Sequence, residues 1–161
     1  MLIGSLNDSD IGALSDFMVC AYRAYPMATW FCSEPSLGEM ERLFLNKVRG
    51  IGMRSVVDTV CEDRSRIVGE CEIVKIAYDV GVIGIIVRPE YADRHIGSAM
   101  LETAIKEAAE IGVTKLTAEV MEDNKDAFKF FIDNGFAPLG IEKGERGGRS
   151  VRLAVLQRDI T

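Results

Sequence analysis

The sequence predicts a mixed α/β domain in which a central sheet carries helices on both of its faces. Its 161 residues fit one domain. Residues 80–87 (VGVIGIIV) are apolar at almost every position, as in a strand covered on both faces. Strand-like and helix-like segments then alternate toward the end of the chain. We therefore expect one domain over residues 1–161, without an internal linker or repeat.

The first helix is expected after a short strand at residues 1–6. Asp8 or Ser9 is placed to cap a helix over residues 10–25. Apolar side chains recur in this segment at spacings of three and four, which gives the helix one buried face. They are Ile11, Leu14, Met18, Ala21, Tyr22 and Tyr25.

A second helix and the centre of the sheet follow. Ser36 and Glu39 have the spacing of a capping box, and Gly50 is a suitable stop at the other end of that helix. Three strand-like runs come next, separated by turns. They cover residues 55–61, 66–76 and 80–87.

The rest of the chain continues the alternation of helices and strands. The expected elements, in order, are a helix over 96–111 ended by Gly112, a strand over 115–120, a short helix from Asn124 to Gly135, a strand from Phe136, a glycine-rich turn (Gly144, Gly147, Gly148) and a closing strand over 150–156.

The composition argues against several function classes. A net charge of −6 and a pI near 4.9 disfavour binding to nucleic acid, although backbone N–H groups can still bind an anionic cofactor locally. One histidine and four cysteines without a CxxC pair predict no metal site, reduced thiols and a cytoplasmic protein. Without a basic leader or a run of about 18 apolar residues, we expect neither a signal peptide nor a membrane span.

The junction between residues 80–87 and the next helix is the candidate anion site. Such a strand–loop–helix junction leaves backbone N–H groups unpaired and adds the positive end of the helix dipole, which suits a diphosphate. Gly97 allows close approach, Ser98 offers a hydroxyl, and Arg94 offers a charge. The dinucleotide pattern G-x-G-x-x-G and the P-loop pattern are both absent. A glycine that serves packing or capping is the alternative interpretation.

Two motifs in this region resemble the GNAT superfamily of N-acetyltransferases. Val87-Arg88-Pro89-Glu90-Tyr91 followed by Ile96-Gly97-Ser98-Ala99-Met100-Leu101 is similar to the family's strand, loop and helix, V-x-P-x-Y with R/Q-x-x-G-x-G/A. At the family's usual distance, a second set is similar to its N-x-x-A-x-x-F-Y-x-x-x-G-F helix. This set is Asn124, Ala127, Phe130, Phe131, Gly135 and Phe136.

The resemblance implies a fold, a cofactor and a set of contacts. The fold is a central mixed, mostly antiparallel sheet of about six to seven strands, with about four helices on its two faces. The cofactor is acetyl-coenzyme A, whose pantetheine arm lies along a splayed strand at 80–87, with an N–H near Ile86 or Val87 against the thioester carbonyl. Asn124 contacts the pantetheine or only caps its helix. The implied cofactor residues are Ile85, Ile86, Val87, Ala92, Asp93, Arg94, His95, Ile96, Gly97, Ser98, Ala99, Asn124, Ala127, Phe130 and Phe131.

The sequence departs from the family pattern at two places. With the Pro–Glu–Tyr segment fixing the register, the family's leading Arg or Gln falls on Ala92 and its first loop glycine on His95. A register shifted by two reads Arg94-x-x-Gly97-x-Ala99 instead, and we prefer the first. His95 is then expected to fill the glycine position or to face solvent. Phe131 replaces a tyrosine whose hydroxyl protonates the departing thiolate in many relatives.

Three carboxylates compete as the base that takes a proton from the attacking amine. Asp79 precedes the strand at 80–87, where some relatives carry a catalytic glutamate, or it is a turn residue. Glu70 and Glu72 alternate onto one face of a strand among apolar neighbours, which indicates either a polar cleft or an exposed sheet face. The sequence does not distinguish among the three.

The segment after the first helix falls where relatives build the acceptor pocket. Tyr25, Trp30, Phe31 and Glu34 would give a cationic amine aromatic walls and a carboxylate; alternatively, these aromatic residues close the core or form a homodimer contact. The prediction is an N-acetyltransferase acting on a primary amine of a small molecule or peptide. The alternatives are an acyl-coenzyme A sensor without turnover, favoured by Phe131, and a structural dimer module.

Overall fold

The computed structural model describes residues 1–28 and 31–160, which form a seven-stranded sheet flanked by four helices. This architecture confirms the predicted mixed α/β fold. Within the described residues, no helix is long and apolar enough to cross a bilayer. In chain order the elements are β1 (Leu2–Ser5), α1 (Ile11–Ala24), α2 (Leu37–Gly52), β2 (Val56–Asp63), β3 (Arg66–Lys75), β4 (Val80–Val87), α3 (Ile96–Glu110), β5 (Lys115–Met121), α4 (Lys125–Asp133), β6 (Ala137–Arg146) and β7 (Arg149–Asp159).

The start of α1 differs from the prediction in its capping residue. A single 3₁₀ turn over Asp8–Asp10 precedes the helix, and Asn7 caps this turn. Asn7 Oδ1 accepts a hydrogen bond from Ser9 N–H at 3.0 Å, while Asp10 Oδ2 accepts one from Asn7 N–H at 2.8 Å. The prediction of Asp8 or Ser9 as the cap was wrong, because the amide of Asn7 already satisfies the N–H two residues later.

The start of α2 agrees with the sequence, but its end does not. Ser36 Oγ accepts from Glu39 N–H at 3.3 Å and Glu39 Oε2 accepts from Ser36 N–H at 2.7 Å, which completes the predicted capping box. The helix continues past Gly50 to Gly52. A Cβ at Gly50 would lie 2.5 Å from Val56 Cγ2, so this glycine serves the close packing of α2 on β2 and does not end the helix.

The C-terminal hairpin is longer than the sequence indicates. Gly144 lies inside β6, and β7 extends beyond both ends of the predicted strand at 150–156. Only Gly147 and Gly148 form the turn, with φ values of 55° and 73°. Both angles are left-handed, as a tight two-residue hairpin connection requires.

The strand order brings the two motif-bearing segments together at the centre of the sheet. The order is β1-β2-β3-β4-β5-β7-β6. Every neighbouring pair is antiparallel except β4 and β5, which run parallel. Helix α3 makes the crossover between these two strands, as a parallel connection needs.

The sheet separates two apolar cores. On the face covered by α3 and α4, here called the α3/α4 face, the buried side chains include Val68, Cys71, Ile83, Met100, Leu101, Leu116, Ala118 and Phe131. On the face covered by α1 and α2, the α1/α2 face, they include Leu14, Phe17, Met40, Phe44, Val60 and Ile67. Successive residues of a strand therefore contribute to different cores.

Candidate active site

A gap opens in the middle of the sheet, between β4 and β5. The two strands pair from Val80–Lys115 to Ile83–Ala118, and no pairing joins residues 84–87 to 119–121. Each strand stays paired on its other side, β4 with β3 and β5 with β7. The gap is therefore a V, closed at Ile83 and open toward the end of β4. The splay that the resemblance implies is present.

The backbone of β4 turns polar groups toward this gap at alternate residues. Arg88 N–H donates to Val68 C=O at 2.8 Å across the β3–β4 register. Because antiparallel pairs alternate between bonded and non-bonded, Ile86 also bonds to β3, while Ile85 and Val87 face the gap. Of the two predicted N–H donors, Val87 thus faces the gap and Ile86 does not. Ile85 adds a second N–H nearer the closed end.

The chain leaves β4 through an exposed turn whose N–H groups are largely unpaired. Within the described residues, the backbone N–H groups of 93–98 have no hydrogen-bond acceptor. Ala92 N–H donates to Pro89 C=O, and Ala99 N–H donates to His95 C=O, both at 3.1 Å. The start of the 15-residue helix α3 adds its dipole at the same place. Residues 93–98 therefore present a run of unpaired N–H groups at the start of α3, whereas Ala92 and Ala99 contribute none.

The turn holds its shape through two residues in the left-handed conformation. Asp93 has φ 58° and His95 has φ 59°. The position at which the family pattern carries a glycine thus keeps a glycine-like backbone, and the His95 side chain is exposed. The Arg94 guanidinium carbon lies 4.8 Å from the centre of the Tyr91 ring. Its charge therefore remains at the edge of the turn.

Helix α4 forms a wall of the gap on the α3/α4 face. A Cβ at Gly97 would lie 3.0 Å from Phe130 Cε2 and 3.8 Å from Ile85 Cδ1, so these three residues converge. Phe131 is 4% exposed and packs edge-on against Phe130, with the ring centres 5.3 Å apart. Asn124 Oδ1 accepts from Ala127 N–H at 3.1 Å and caps α4. Phe131 therefore contributes apolar packing at the position where the family pattern has a hydroxyl.

On the α1/α2 face, two carboxylates flank the closed end of the gap. Gly84 lies opposite Glu72 in the β3–β4 register, and the Ile83–Ala118 pair puts Glu119 level with Gly84. Ile83 and Ala118 point into the α3/α4 core, so Gly84 and Glu119 point the other way. A Cβ at Gly84 would meet nothing within 4 Å. An open space thus separates Glu72 from Glu119 by two strand spacings, about 10 Å.

Glu119 is held by a buried arginine from the C-terminal hairpin. Arg146 Nη2 lies 3.2 Å from Glu119 Oε2, and Arg146 Nη1 donates to Glu145 C=O at 2.8 Å. Arg146 is buried, whereas the Glu119 side chain is 32% exposed. The Glu119 carboxylate therefore has a cationic partner on the side of the hairpin.

Glu72 and Glu70 belong to a charge cluster beneath α2. The Lys47 ammonium lies 2.7 Å from Asp58, 2.8 Å from Glu70 and 2.5 Å from Glu72. Burial raises the pKa of Asp58 well above its usual value, and Glu70 raises it further. Burial alone would lower the pKa of Lys47, but the three carboxylates raise it above its usual range. Neither predicted interpretation of the two glutamates describes Glu70, which is buried in an ion pair.

Asp79 lies at the wrong end of β4 for contact with the gap. It precedes Val80, where β4 and β5 are still paired. Its backbone carbonyl accepts from Thr114 N–H at 2.9 Å and Lys115 N–H at 3.1 Å, and its carboxylate accepts from Thr114 Oγ1 at 3.1 Å. The eight residues of β4 separate it from the turn at 93–98 by about 25 Å. These contacts support the alternative of a turn residue.

The predicted acceptor residues lie in different surroundings. Tyr25 ends α1 with 37% of its surface exposed, and burial together with Glu90 raises its pKa. Phe31 packs against the α1/α2 core. The Glu34 carboxylate pairs with Arg23 on the exposed surface. Trp30 lies outside the described residues.

The tip of the β6–β7 hairpin meets the segment between α1 and α2. A Cβ at Gly147 would lie 3.5 Å from Met27 Sδ and 3.9 Å from the Phe31 carbonyl oxygen, and one at Gly148 would lie 3.6 Å from Cys32 Sγ. The hairpin that carries Arg146 therefore borders the same space as this segment. We call the space between Gly84, Glu72 and Glu119, bordered by the hairpin, the acceptor cleft.

Comparison with known proteins identifies the family. The model of the acetyltransferase (GNAT) family matches residues 21–136. The chain belongs to the GNAT acetyltransferase family. This result confirms the resemblance drawn from the two motifs, and the matched range contains the gap, the turn at 93–98 and α4.

Individual proteins are similar to this chain in part of the sequence or in the fold. YwnH of Bacillus subtilis (strain 168), whose name proposes phosphinothricin acetylation, is 32% identical over 68 residues, which span 41% of this chain and 42% of that protein. The ribosomal-protein-alanine N-acetyltransferase of Brucella melitensis aligns over 99% of each chain with a TM-score of 0.82 and 21% identity. The phosphinothricin acetyltransferase of Sinorhizobium meliloti, solved in complex with AcCoA, aligns over 98% of this chain and 87% of its own with a TM-score of 0.78 and 18% identity.

The sequence interpretation did not identify Glu119, Lys47 or Arg146 as part of this candidate site. Glu119 was available from the alternation in β5, because Leu116, Ala118 and Val120 are apolar and the residues between them must face the other way. Lys47 and Arg146 carried no such signal. Their importance depends on which strand residues they meet in the folded chain.

Proposed function

We propose that this GNAT domain transfers the acetyl group of acetyl-coenzyme A to a primary amine by direct attack. The observation that carries the proposal is the V-shaped gap, which presents the backbone of Ile85 and Val87 and leads to the unpaired N–H groups of 93–98. A phosphate-bearing chain with amide groups fits these two surfaces in sequence. The AcCoA complex of the Sinorhizobium meliloti relative supports this choice of cofactor.

The residues present fit the cofactor group by group. The N–H groups of 93–98, with Gly97 leaving room, would bind the diphosphate, and Arg94 and Ser98 would add a charge and a hydroxyl. Val87 would pair with an amide of the pantetheine arm. When bound, acetyl-coenzyme A supplies an activated acyl thioester. The N–H of Ile85 would then donate to the thioester oxygen as negative charge develops on it.

The acceptor amine would enter from the α1/α2 face, across Gly84. Glycine leaves the floor of the cleft open there. An amine attacks only as the free base, so a nearby carboxylate must take a proton from the ammonium form. Glu72 and Glu119 both reach this space and are partly exposed. Glu70 is buried in the cluster, so we assign it no direct contact with the acceptor.

The departing thiolate would leave without a protein hydroxyl at the family's usual position. Phe131 is buried among apolar rings and has no proton to give. An alkyl thiol ionises about one or two pH units above neutrality, so its thiolate is a fair leaving group and solvent can protonate it. The same substitution favours the second candidate function, an acyl-coenzyme A sensor without turnover.

The acceptor is assigned here by charge. Two carboxylates line the cleft, and the chain carries a net charge of −6, so a cationic amine would be attracted. The names of the relatives cover a ribosomal-protein alanine and phosphinothricin. We therefore propose a primary amine carried by a small molecule or a peptide, with nucleic acid and membrane surfaces excluded.

Two measurements test this function. Acetyl-coenzyme A and desulfo-coenzyme A should each raise the thermal midpoint (Tm), because ligand binding to the folded state stabilises it. Release of free thiol should then exceed background hydrolysis with at least one member of an amine library. A Tm shift without amine-dependent thiol release would favour the sensor, and no Tm shift with either ligand would reject cofactor binding.

A further inference from the structure

The charge cluster beneath α2 has more carboxylates than its single ammonium can neutralise. Lys47 contacts Asp58, Glu70 and Glu72, so full ionisation would leave one positive charge against three negative charges, a net −2. The side chains of Lys47, Asp58 and Glu70 are at most 6% exposed. Uncompensated charge at such burial is strongly unfavourable. The cluster therefore retains at least one proton at neutral pH.

One buried oxygen atom indicates the place of this proton. Among the described residues, Asp58 Oδ1 is buried without a hydrogen-bond partner, whereas Glu70 Oε1 lies 2.8 Å from the Lys47 ammonium. The charged groups that act on Asp58 are Glu70, Lys47 and Glu72, and Cys71 approaches from the other face of the sheet. Burial and Glu70 both favour the protonated form of Asp58. The retained proton thus belongs to Asp58, which forms a buried pair with Glu70 beside the Lys47 ammonium.

Glu72 connects this buried pair to the acceptor cleft. Its carboxylate touches Lys47 on one side, and 31% of its side chain is exposed. It lies opposite Gly84, where the open floor of the cleft begins. The charge of the buried pair therefore affects, through Lys47, a carboxylate that an acceptor can reach.

We propose that Lys47 is a positioning residue for acceptor deprotonation, which places a positive charge against the Glu72 carboxylate and orients it toward the cleft. This inference rests on the proposed acetyl transfer. An N–H bond of the acceptor ammonium breaks, its proton forms an O–H bond on Glu72, and the nitrogen lone pair attacks the thioester carbon. The C–S bond then breaks, the second nitrogen proton neutralises the thiolate, and Glu72 returns its proton to solvent. Without the Lys47 ammonium, no cation would separate the Glu72 carboxylate from Asp58 and Glu70.

The pH dependence of kcat/KM tests the role of Lys47. Loss of a neighbouring positive charge raises carboxylate pKa values by about one to three units. Lys47→Met should therefore move the acidic limb of the pH profile to higher pH by about one to three units, and activity should return as the pH is raised. Lys47→Arg, which keeps the charge, should leave the limb close to that of the wild type. Lys129→Met is the matched control, since it removes an exposed ammonium paired with Asp133, and it should change nothing.

A second variant tests the retained proton without turnover. Asn is the neutral isostere of protonated Asp, so Asp58→Asn should fold. A carboxyl whose pKa is raised on folding binds more protons in the folded state, so its contribution to stability decreases as pH rises above the unfolded value of about 3.9. The Tm of the wild type should therefore fall relative to that of Asp58→Asn between about pH 4 and pH 8. If the Tm values of the two proteins changed with pH in parallel, the inference that the cluster retains a proton would be wrong.

The outcomes separate this inference from the proposed function. A wild type that acetylates no amine would reject the proposed function, whatever the Tm curves show. An active wild type whose acidic limb stays in place in Lys47→Met, with kcat/KM lowered by one factor at every pH, would overturn the positioning role alone. If Lys47→Met fails to fold, Lys47→Met combined with Asp58→Asn, which removes the ammonium together with the buried carboxyl that retains the proton, takes its place with the same expected shift.

Discussion

Single residues of the turn at 93–98 contribute mainly through the backbone conformation that they allow. His95 adopts a left-handed conformation at the position where the family pattern has glycine, and its side chain extends into solvent. Gly97, by contrast, is required for space, since Phe130 lies within 3.0 Å of any added Cβ. The turn therefore tolerates a side chain where the chain bends outward and excludes one where helix α3 meets α4.

Replacement of His95 by glycine should stabilise the protein without changing cofactor affinity. A non-glycine residue in the left-handed region costs about 1 kcal/mol or more, and part of this gain is offset by the greater freedom of glycine in the unfolded chain. We expect the free energy of unfolding to rise by up to about 1 kcal/mol in urea denaturation. His95→Ala, which keeps a Cβ, should show no such gain. A lower stability of His95→Gly would mean that the imidazole makes a contact of its own.

Gly97→Glu should abolish binding of desulfo-coenzyme A. The new carboxylate would lie against the diphosphate, at the start of a helix whose N–H groups bind anions. Since any Cβ at Gly97 presses on Phe130, Gly97→Ala measures the steric part alone and should keep a reduced Tm shift. Gly12→Glu, on the open first turn of α1, is the matched control and should bind as the wild type does. An undiminished shift in Gly97→Glu would place the diphosphate elsewhere.

At the level of elements, β4 performs three tasks along its length. Its first half pairs on both sides and fixes the sheet, up to the Ile83–Ala118 pair. Its second half pairs only with β3 and so frees the backbone of Ile85 and Val87. Between them, Gly84 opens the α1/α2 face toward Glu72. The cofactor side and the acceptor side of the site are thus two directions from one strand.

Gly84→Leu should separate cofactor binding from turnover. The leucine side chain would fill the floor of the acceptor cleft, where nothing lies within 4 Å of the Cβ position. The Tm shift with desulfo-coenzyme A should persist, while amine-dependent thiol release should fall by at least about tenfold, the effect of misplacing a reacting group. Gly4→Leu, in the open edge strand β1, should retain wild-type turnover. Equal turnover in both variants would mean that the amine enters from another side.

Local patterns predicted most of the elements. The strand at 80–87 and the capping box at Ser36 matched the structure because an apolar run and a reciprocal cap are properties of short segments. The expected burial of this strand on both faces was wrong, because only Gly81 and Ile83 are buried and Gly84 is exposed. The cap at Asn7 and the helical role of Gly50 were not predicted. The cap depends on which of several adjacent polar side chains accepts the hydrogen bond from the same N–H group. The role of Gly50 depends on its contact with Val56, which exists only in the folded chain.

The candidate site, too, was predicted only where its groups come from one short segment. The motifs located the turn at 93–98, because consecutive backbone N–H groups come from one segment. The acceptor cleft and the charge cluster beneath α2 join side chains from α2, β2, β3, β5 and β6, so their meeting depends on strand register and on the face each residue takes. Lys47 lies 11 residues from Asp58 and 25 from Glu72 along the chain. No spacing rule links residues at such distances.

For the whole molecule, one sheet serves two cores. Phe17 belongs to the core on the α1/α2 face, and Leu101 to the core on the α3/α4 face; both are completely buried. Because alternate residues of the same strands support the two cores, neither face can lose its packing without disturbing the strands that support the other. The molecule is therefore expected to unfold as one cooperative unit.

Truncation of a side chain in either core should lower the midpoint of this single unfolding transition. Phe17→Ala and Leu101→Ala should each lower the free energy of unfolding, by about 3–5 and about 2–5 kcal/mol respectively. In both variants, circular dichroism in the far and near ultraviolet should report the same midpoint. Two separate midpoints in either variant would show that the faces unfold independently, with the sheet persisting after one core is lost.

The contact between the hairpin tip at Gly147 and the segment at Met27 has a consequence for how this enzyme diversifies. Both segments border the acceptor cleft, and neither belongs to the strand and turn that face the cofactor. We therefore expect substitutions in these two surface segments to alter which amine is accepted while the strand and turn that face the cofactor stay unchanged.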